Sequence, residues 1–120
     1  MQVKTGTDII EIERIKDGIE KLGDNFLNTI FTEAEIEYCE NRRAQKYQEY
    51  AVRFAGKEAI FKTLSFYYTE CKWKDYEILN EENGKPYINL KKEIPGLESI
   101  DISLSHCKQY AVANVVALCK

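Results

Sequence analysis

Two acids, fifty positions apart, are the residues of this chain best suited to chemistry. Asp8 lies in the opening segment Val3-Lys4-Thr5-Gly6-Thr7-Asp8-Ile9-Ile10, and Glu58 lies in Arg53-Phe54-Ala55-Gly56-Lys57-Glu58-Ala59-Ile60-Phe61-Lys62. The second segment reads as a helix, and Glu58 falls on the face expected to be apolar. A carboxylate turned toward a core is costly unless a cation meets it. A divalent metal held between both acids would meet that cost. Arg53, Lys57 and Lys62 surround Glu58, as a metal-bound diphosphate would require. Carboxylate and phosphate oxygens are hard ligands and suit Mg²⁺.

Plainer roles exist for each residue. Glu58 and Lys62 form an i,i+4 pair in the favourable order, but such a pair contributes only about 0.2–0.5 kcal/mol. Desolvating a carboxylate costs several kcal/mol, so the pair alone does not offset burial. Asp8 would also serve as an acid near a helix N-terminus, and Glu11 as a first-turn acid. His106, the single histidine, ends a strand-like run beside Ser105 and near Lys108, where an anion contact is plausible. Ser105 and His106 are adjacent, which is not the spacing of a hydrolytic triad. No phosphate-binding glycine loop or dinucleotide fingerprint is present.

The elements that must position these residues follow from periodicity. Residues 2–10 read as a strand, with Gly6 marking a close backbone approach. A helix over about 11–22 carries Ile12, Ile15, Ile19 and Leu22 at helical spacing and stops at Gly23-Asp24-Asn25. A short helical stretch with Phe26, Leu27 and Ile30 follows. Phe31-Thr32-Glu33-Ala34-Glu35-Ile36 has the pattern of a capping box, Thr32 with Glu35, and of a hydrophobic staple, Phe31 with Ile36. The longest helix covers about 45–65, with Tyr47, Tyr50, Phe54, Phe61 and Leu64 as its stripe. Glu58 lies about 40° from Phe54 on that helix, so the pattern breaks at Glu58, and such breaks mark function.

The second half reads as β-structure. Tyr76-Glu77-Ile78-Leu79 and Tyr87-Ile88-Asn89-Leu90 flank a turn signal at Asn83-Gly84. Residues 100–105 alternate as a half-buried strand. Residues 110–118 are apolar on both parities, as in a central or interface strand, and residues 105–109 make the bend between them.

Composition sets the bounds. The 120 residues suit one domain, 1–120. The 17 basic and 20 acidic residues give a net charge of −3, which argues against bulk nucleic-acid binding. No long apolar run suggests a membrane span, and no leader is evident at Met1-Gln2-Val3-Lys4. Cys39, Cys71, Cys107 and Cys119 lack metal-ligand spacing. They read as reduced cytoplasmic thiols, mostly in the core.

Taken together, these segments resemble the holo-acyl-carrier-protein synthases, the single-half, trimeric type of 4′-phosphopantetheinyl transferase. The likeness rests on Gly6-Thr7-Asp8-Ile9-Ile10-Glu11-Ile12-Glu13-Arg14-Ile15, on residues 53–62 with Phe31-Thr32-Glu33-Ala34-Glu35 upstream, on Gly84-Lys85-Pro86, and on Ile102-Ser103-Leu104-Ser105-His106 with Tyr110-Ala111-Val112-Ala113. The resemblance implies an α+β fold, a small antiparallel sheet packed with a long helix. It also implies a cytoplasmic homotrimer with shared active sites, working in fatty acid or polyketide biosynthesis. The reaction it implies moves 4′-phosphopantetheine from coenzyme A to a serine of apo acyl carrier protein and releases adenosine 3′,5′-bisphosphate.

Carried over by position, Asp8 and Glu58 would bind Mg²⁺ with the coenzyme A diphosphate. Lys62 would neutralise or protonate the leaving phosphate, and Lys57 would also contact phosphate. Arg53 and His106 would hold the 3′-phosphate end, Pro86 would line the adenine pocket, and Ser105 would give a nearby hydroxyl or backbone contact. Arg14 would meet the acidic carrier protein. Glu58, directly or through a metal-bound water, would take the serine proton.

Four departures from the family pattern stand out: Gly56 before Lys57, Thr63-Leu64-Ser65 after Lys62, the aromatic run Phe66-Tyr67-Tyr68-Thr69, and a first helix of mixed charge. The alternative is a non-catalytic module of the same fold that binds coenzyme A or a carrier protein.

Overall fold

Strand β1 (Gln2–Glu11) runs directly into helix α1 (Ile12–Leu22), then α2 (Asp24–Ile30), α3 (Glu33–Asn41) and the long α4 (Lys46–Leu64). Strands β2 (Tyr76–Asn80), β3 (Pro86–Leu90), β4 (Leu97–His106) and β5 (Tyr110–Cys119) complete the chain. These elements come from a computed structural model, which describes residues 1–65 and 70–120. The aromatic run 66–69 lies outside the described residues.

The architecture is α+β, as expected. One antiparallel sheet has the order β1-β5-β4, and a two-stranded sheet pairs β2 with β3. The apolar strand 110–118 is therefore the central strand. Its inward residues are Ala111, Ala113, Val115, Ala117 and Cys119, all buried. Small side chains at these alternating positions let α4 lie close to the sheet. Its outward residues, with those of β1, leave Val3, Ile9, Tyr110 and Val116 exposed.

Two cores share α4. One lies between α4 and the sheets and contains Ala55, Ala59, Ile60, Leu64, Ile78, Ile102 and Val115. The other joins α1, α2 and α3 to the first half of α4 through Ile15, Ile19, Phe31, Cys39, Tyr50 and Val52. Helix α1 buries Ile12, Ile15 and Ile19. Leu22, expected on that stripe, is the last residue of the helix and is exposed instead. The capping box forms as read: Thr32 accepts from the Glu35 backbone N–H, and the Glu35 carboxylate accepts from the Thr32 N–H.

Helix α4 departs from a simple stripe. Because it sits between two cores, it is buried on most of its circumference, and Phe54 and Phe61 are only half-buried. The charged side chains in its interior are Arg53 and Lys57, whereas Glu58 is half-buried on the side facing β1. Glu58, expected inside the apolar stripe beside Phe54, is half-buried, as Phe54 and Phe61 are, and the deeply buried face lies elsewhere.

Gly56 has a packing reason, since a Cβ there would meet Ile78 Cδ1 at 2.5 Å and Ile102 Cδ1 at 3.1 Å. The glycine admits β2 and β4 at the cost of about 1 kcal/mol of helix propensity. Gly6 plays the same part on β1, where a Cβ would overlap the Ala59 carbonyl oxygen and Thr63 Oγ1.

Candidate active site

The close approach of β1 to α4 at Gly6 brings Asp8, two residues along the strand, beside the last turns of the helix. Gly6 and Asp8 share a strand face, and Thr63 fits beneath the glycine with its hydroxyl donating to the Ala59 carbonyl at 2.7 Å. This is what Thr63 does in the departure Thr63-Leu64-Ser65. Ser65 Oγ donates to the Lys62 carbonyl at 3.1 Å.

Lys62 joins the two elements. Its Nζ donates to Asp8 Oδ1 at 3.1 Å and to the Thr7 carbonyl at 3.0 Å. The lysine side chain is 54% exposed, and an ion pair so open to solvent contributes at most about 1 kcal/mol. An incoming anion can therefore draw Lys62 away from Asp8 at little cost.

Glu58 lies one turn before Lys62. Burial pushes its carboxyl above the usual glutamate range, the negative charge of Asp8 pushes it further, and Lys62 draws it back. Two carboxylates that repel each other, one of them paired with an exposed ammonium, suit a divalent cation. No group of three or more His, Cys, Asp or Glu side chains forms a metal site among the described residues. Any cation held here would complete its shell with substrate oxygens and water, as Mg²⁺ commonly does.

A second cluster forms at the other end of the helix. Arg53 is buried, and its guanidinium lies 4.4 Å from the Tyr38 ring centroid. Its Nε donates to the Ile78 carbonyl at 3.2 Å, Nη1 to Glu49 Oε1 at 2.9 Å, and Nη2 to Asn80 Oδ1. The amide of Asn80 in turn donates to the Gly84 carbonyl at 2.9 Å. The guanidinium is thereby tied to the β2–β3 turn, where Gly84 adopts φ +92, a conformation suited to glycine. Pro86 follows that turn. His106, at the end of β4, closes the far side.

Arg42, Arg53, Pro86 and His106 line one cleft of about 330 Å³ together with Tyr38 and Asn80. Sequence reasoning selected Arg53, Pro86 and His106 but missed Arg42, Tyr38 and Asn80. Arg42 is the C-cap of α3 and Tyr38 stands one turn earlier, so helical spacing is the available signal.

The two clusters do not face each other within one chain. Arg53 and Glu58 are five residues apart, about 140° around the helix axis, and none of Asp8, Glu58 and Lys62 lines the Arg53 cleft. Ser105 is exposed and pairs with Val112. As strand neighbours, Ser105 and His106 point to opposite faces of the sheet. The bend expected at 105–109 is shorter, because both residues remain in β4. Arg14 is exposed on α1.

Lys57 requires a correction. Its ammonium is fully buried and donates to the Ile30 carbonyl at 2.8 Å, Glu35 Oε1 at 2.6 Å and the Trp73 carbonyl at 2.9 Å. An ammonium has three N–H donors, so Lys57 has none to give to a phosphate. Burial lowers its pKa, and the Glu35 carboxylate opposes that shift.

Known proteins share this fold and sequence. The chain is 46% identical to the holo-[acyl-carrier-protein] synthase of Ruminiclostridium cellulolyticum, over 97% of this chain and 92% of that protein. It is 45% identical to the synthase of the same name from Dehalococcoides mccartyi, over 94% and 96%. The crystal structure of Helicobacter pylori holo-[acyl-carrier-protein] synthase in complex with coenzyme A superposes with a TM-score of 0.82 at 30% identity, covering 95% of this chain and 99% of that one. The family model of the 4′-phosphopantetheinyl transferase superfamily matches residues 4–115, and this chain therefore belongs to that superfamily.

Proposed function

We propose that this chain, a single domain over residues 1–120, is a holo-acyl-carrier-protein synthase. It transfers 4′-phosphopantetheine from coenzyme A to a serine hydroxyl of apo acyl carrier protein. The observation that carries this reading is the grouping of Asp8, Glu58 and Lys62 between β1 and α4.

Asp8 and Glu58 would hold Mg²⁺, whose charge would offset that of the diphosphate. Lys62 moves from Asp8 to the α-phosphate side of the substrate, where negative charge grows as the bridging bond breaks. The serine oxygen bonds to the β-phosphorus, and the bridging P–O bond breaks. Its electron pair leaves with adenosine 3′,5′-bisphosphate. Glu58, directly or through a metal-bound water, would take the serine proton.

Arg53, Arg42 and His106 bind the 3′-phosphate end of coenzyme A, and Pro86 borders the adenine. Ser105, on the opposite sheet face, would reach a nucleotide only through its backbone or from a neighbouring copy. Because the two clusters lie on different sides of α4, one substrate molecule joins the Asp8 cluster of one copy to the Arg53 cleft of another. The exposed apolar residues Val3, Ile9 and Val116 on the outer sheet face support assembly of copies, as a homotrimer. Arg14 on α1 meets the acidic carrier protein. The setting is cytoplasmic lipid synthesis, and no described helix is long and apolar enough to cross a membrane.

The test combines the chain with apo carrier protein, coenzyme A and Mg²⁺ and follows the carrier by mass spectrometry. The carrier is expected to gain one phosphopantetheine group. No gain with several competent carriers would leave only the binding-module reading.

A further inference from the structure

The buried ammonium of Lys57 lies next to Glu58 in sequence yet faces away from it. Each of its three bonds reaches a different element. Ile30 is the last residue of α2, Glu35 begins α3, and Trp73 opens the 3₁₀ turn that leads into β2. Glu35 extends the network, since its second carboxylate oxygen accepts from the Ile78 backbone N–H in β2 at 2.8 Å. Both side chains of the pair are fully buried.

The bond to Trp73 has a consequence at the surface. The Trp73 ring stacks on Phe54, with centroids 5.3 Å apart at 26°, and meets Phe61 edge-on at 5.0 Å and 89°. Phe54 and Phe61 stand four residues before and three after Glu58, so they border its carboxylate along the helix. All three rings are half-buried. The indole packs on both phenyl rings, which flank Glu58 at neighbouring helical positions.

We propose that Lys57 is a positioning residue: by holding the Trp73 carbonyl and the start of α3, it fixes the Trp73 ring behind Phe54 and Phe61 and so sets the walls of the Glu58 site. This rests on the transferase reading. Lys57 binds no substrate itself. Ordered apolar walls keep water from the transferring group and hold the carboxylate in one orientation.

The experiment uses Lys57→Met in the full chain, with three readouts. The protein has a single tryptophan, so its fluorescence reports on position 73 without any turnover. The expected result is a red-shifted Trp73 emission, a kcat at least tenfold lower, and a Kd for coenzyme A within about threefold of the parent. A Kd weakened tenfold with kcat unchanged would assign Lys57 to phosphate and overturn the proposal. Unchanged emission and kcat would overturn it as well.

Should Lys57→Met fail to fold, Trp73→Ala leaves the buried pair in place and carries the test. Its kcat is expected to fall at least tenfold with Kd unchanged, and an unchanged kcat overturns the proposal. A parent chain without transferase activity sinks the underlying reading instead, which separates the two failures.

Discussion

Lys62 Nζ and Asp8 Oδ1 meet at 3.1 Å across 54 residues of sequence, joining the end of α4 to the middle of β1. Glu58, one helical turn earlier, lies near enough to feel the Asp8 charge. The electrostatic cost shows in Glu58, whose carboxyl is raised by burial and by Asp8. The proposed divalent cation would relieve this repulsion between the two acids.

Glu58→Gln removes that repulsion. A raised carboxyl costs the fold stability once pH exceeds the ordinary glutamate range, so the variant is expected to melt at or above the parent temperature at pH 7 without metal. Transfer to carrier protein should be lost. Chelation of divalent metal should silence the parent in the same way, and added Mg²⁺ should restore the parent alone. Calorimetry and carrier mass spectrometry read both outcomes.

Gly6→Ala pushes β1 away from Ala59 and Thr63. Overpacking of this kind costs about 1–3 kcal/mol, and it separates Asp8 from Glu58. Activity should fall more steeply than stability. Comparing kcat with the urea midpoint checks this, and a variant with parental kcat would show that the approach at Gly6 does not set the site.

His106→Ala tests the second cluster. The side chain is exposed at the end of β4, so the melting temperature should move little. The KM for coenzyme A should rise about tenfold, the equivalent of ~1.4 kcal/mol, with kcat nearly unchanged. An unaltered KM would remove His106 from the substrate site.

Glu77 contributes to stability on the acid side. Burial pushes its carboxyl up, but hydrogen bonds from Thr32, Asn89 and Lys91 outweigh burial and hold it below its ordinary value of 4.5. A depressed folded pKa contributes stability in full above that ordinary value and loses it as pH falls through the folded value. Urea denaturation between about pH 6 and pH 3 should therefore show stability falling with pH. Glu77→Gln should flatten it while lowering stability near neutrality.

The thiols separate by environment. Burial pushes the Cys39 thiol up to about 12, whereas backbone N–H groups of Gln109 and Tyr110 lower that of the exposed Cys107. Alkylation of the folded protein at pH 7.5 should modify Cys107 first and spare Cys39 and Cys119 until unfolding, as peptide mass mapping would show.

Much of this molecule was legible before any coordinates. The capping box at Thr32 and Glu35, the long helix near 45–65, the turn at Asn83-Gly84 and the central strand at 110–118 each rest on local chemistry or period. Those signals act within a few residues and survive in a bare sequence. The charges of α4 were harder. Period alone points to Glu58 as the inward group, because a surface helix buries one stripe. This helix lies between two cores and buries Arg53 and Lys57 more deeply than Glu58.

Sequence by itself determined the element order and the α+β class and singled out Asp8, Glu58 and Lys62, since residue type and spacing are local properties of the chain. Tertiary structure alone decided which of those groups meet. Asp8 reaches Lys62 only because Gly6 lets β1 approach α4, and Lys57 is withdrawn from phosphate only because Ile30, Glu35 and Trp73 fold around it. Such partnerships depend on contacts between residues distant in sequence, and no spacing rule encodes which distant donor a buried ammonium will find.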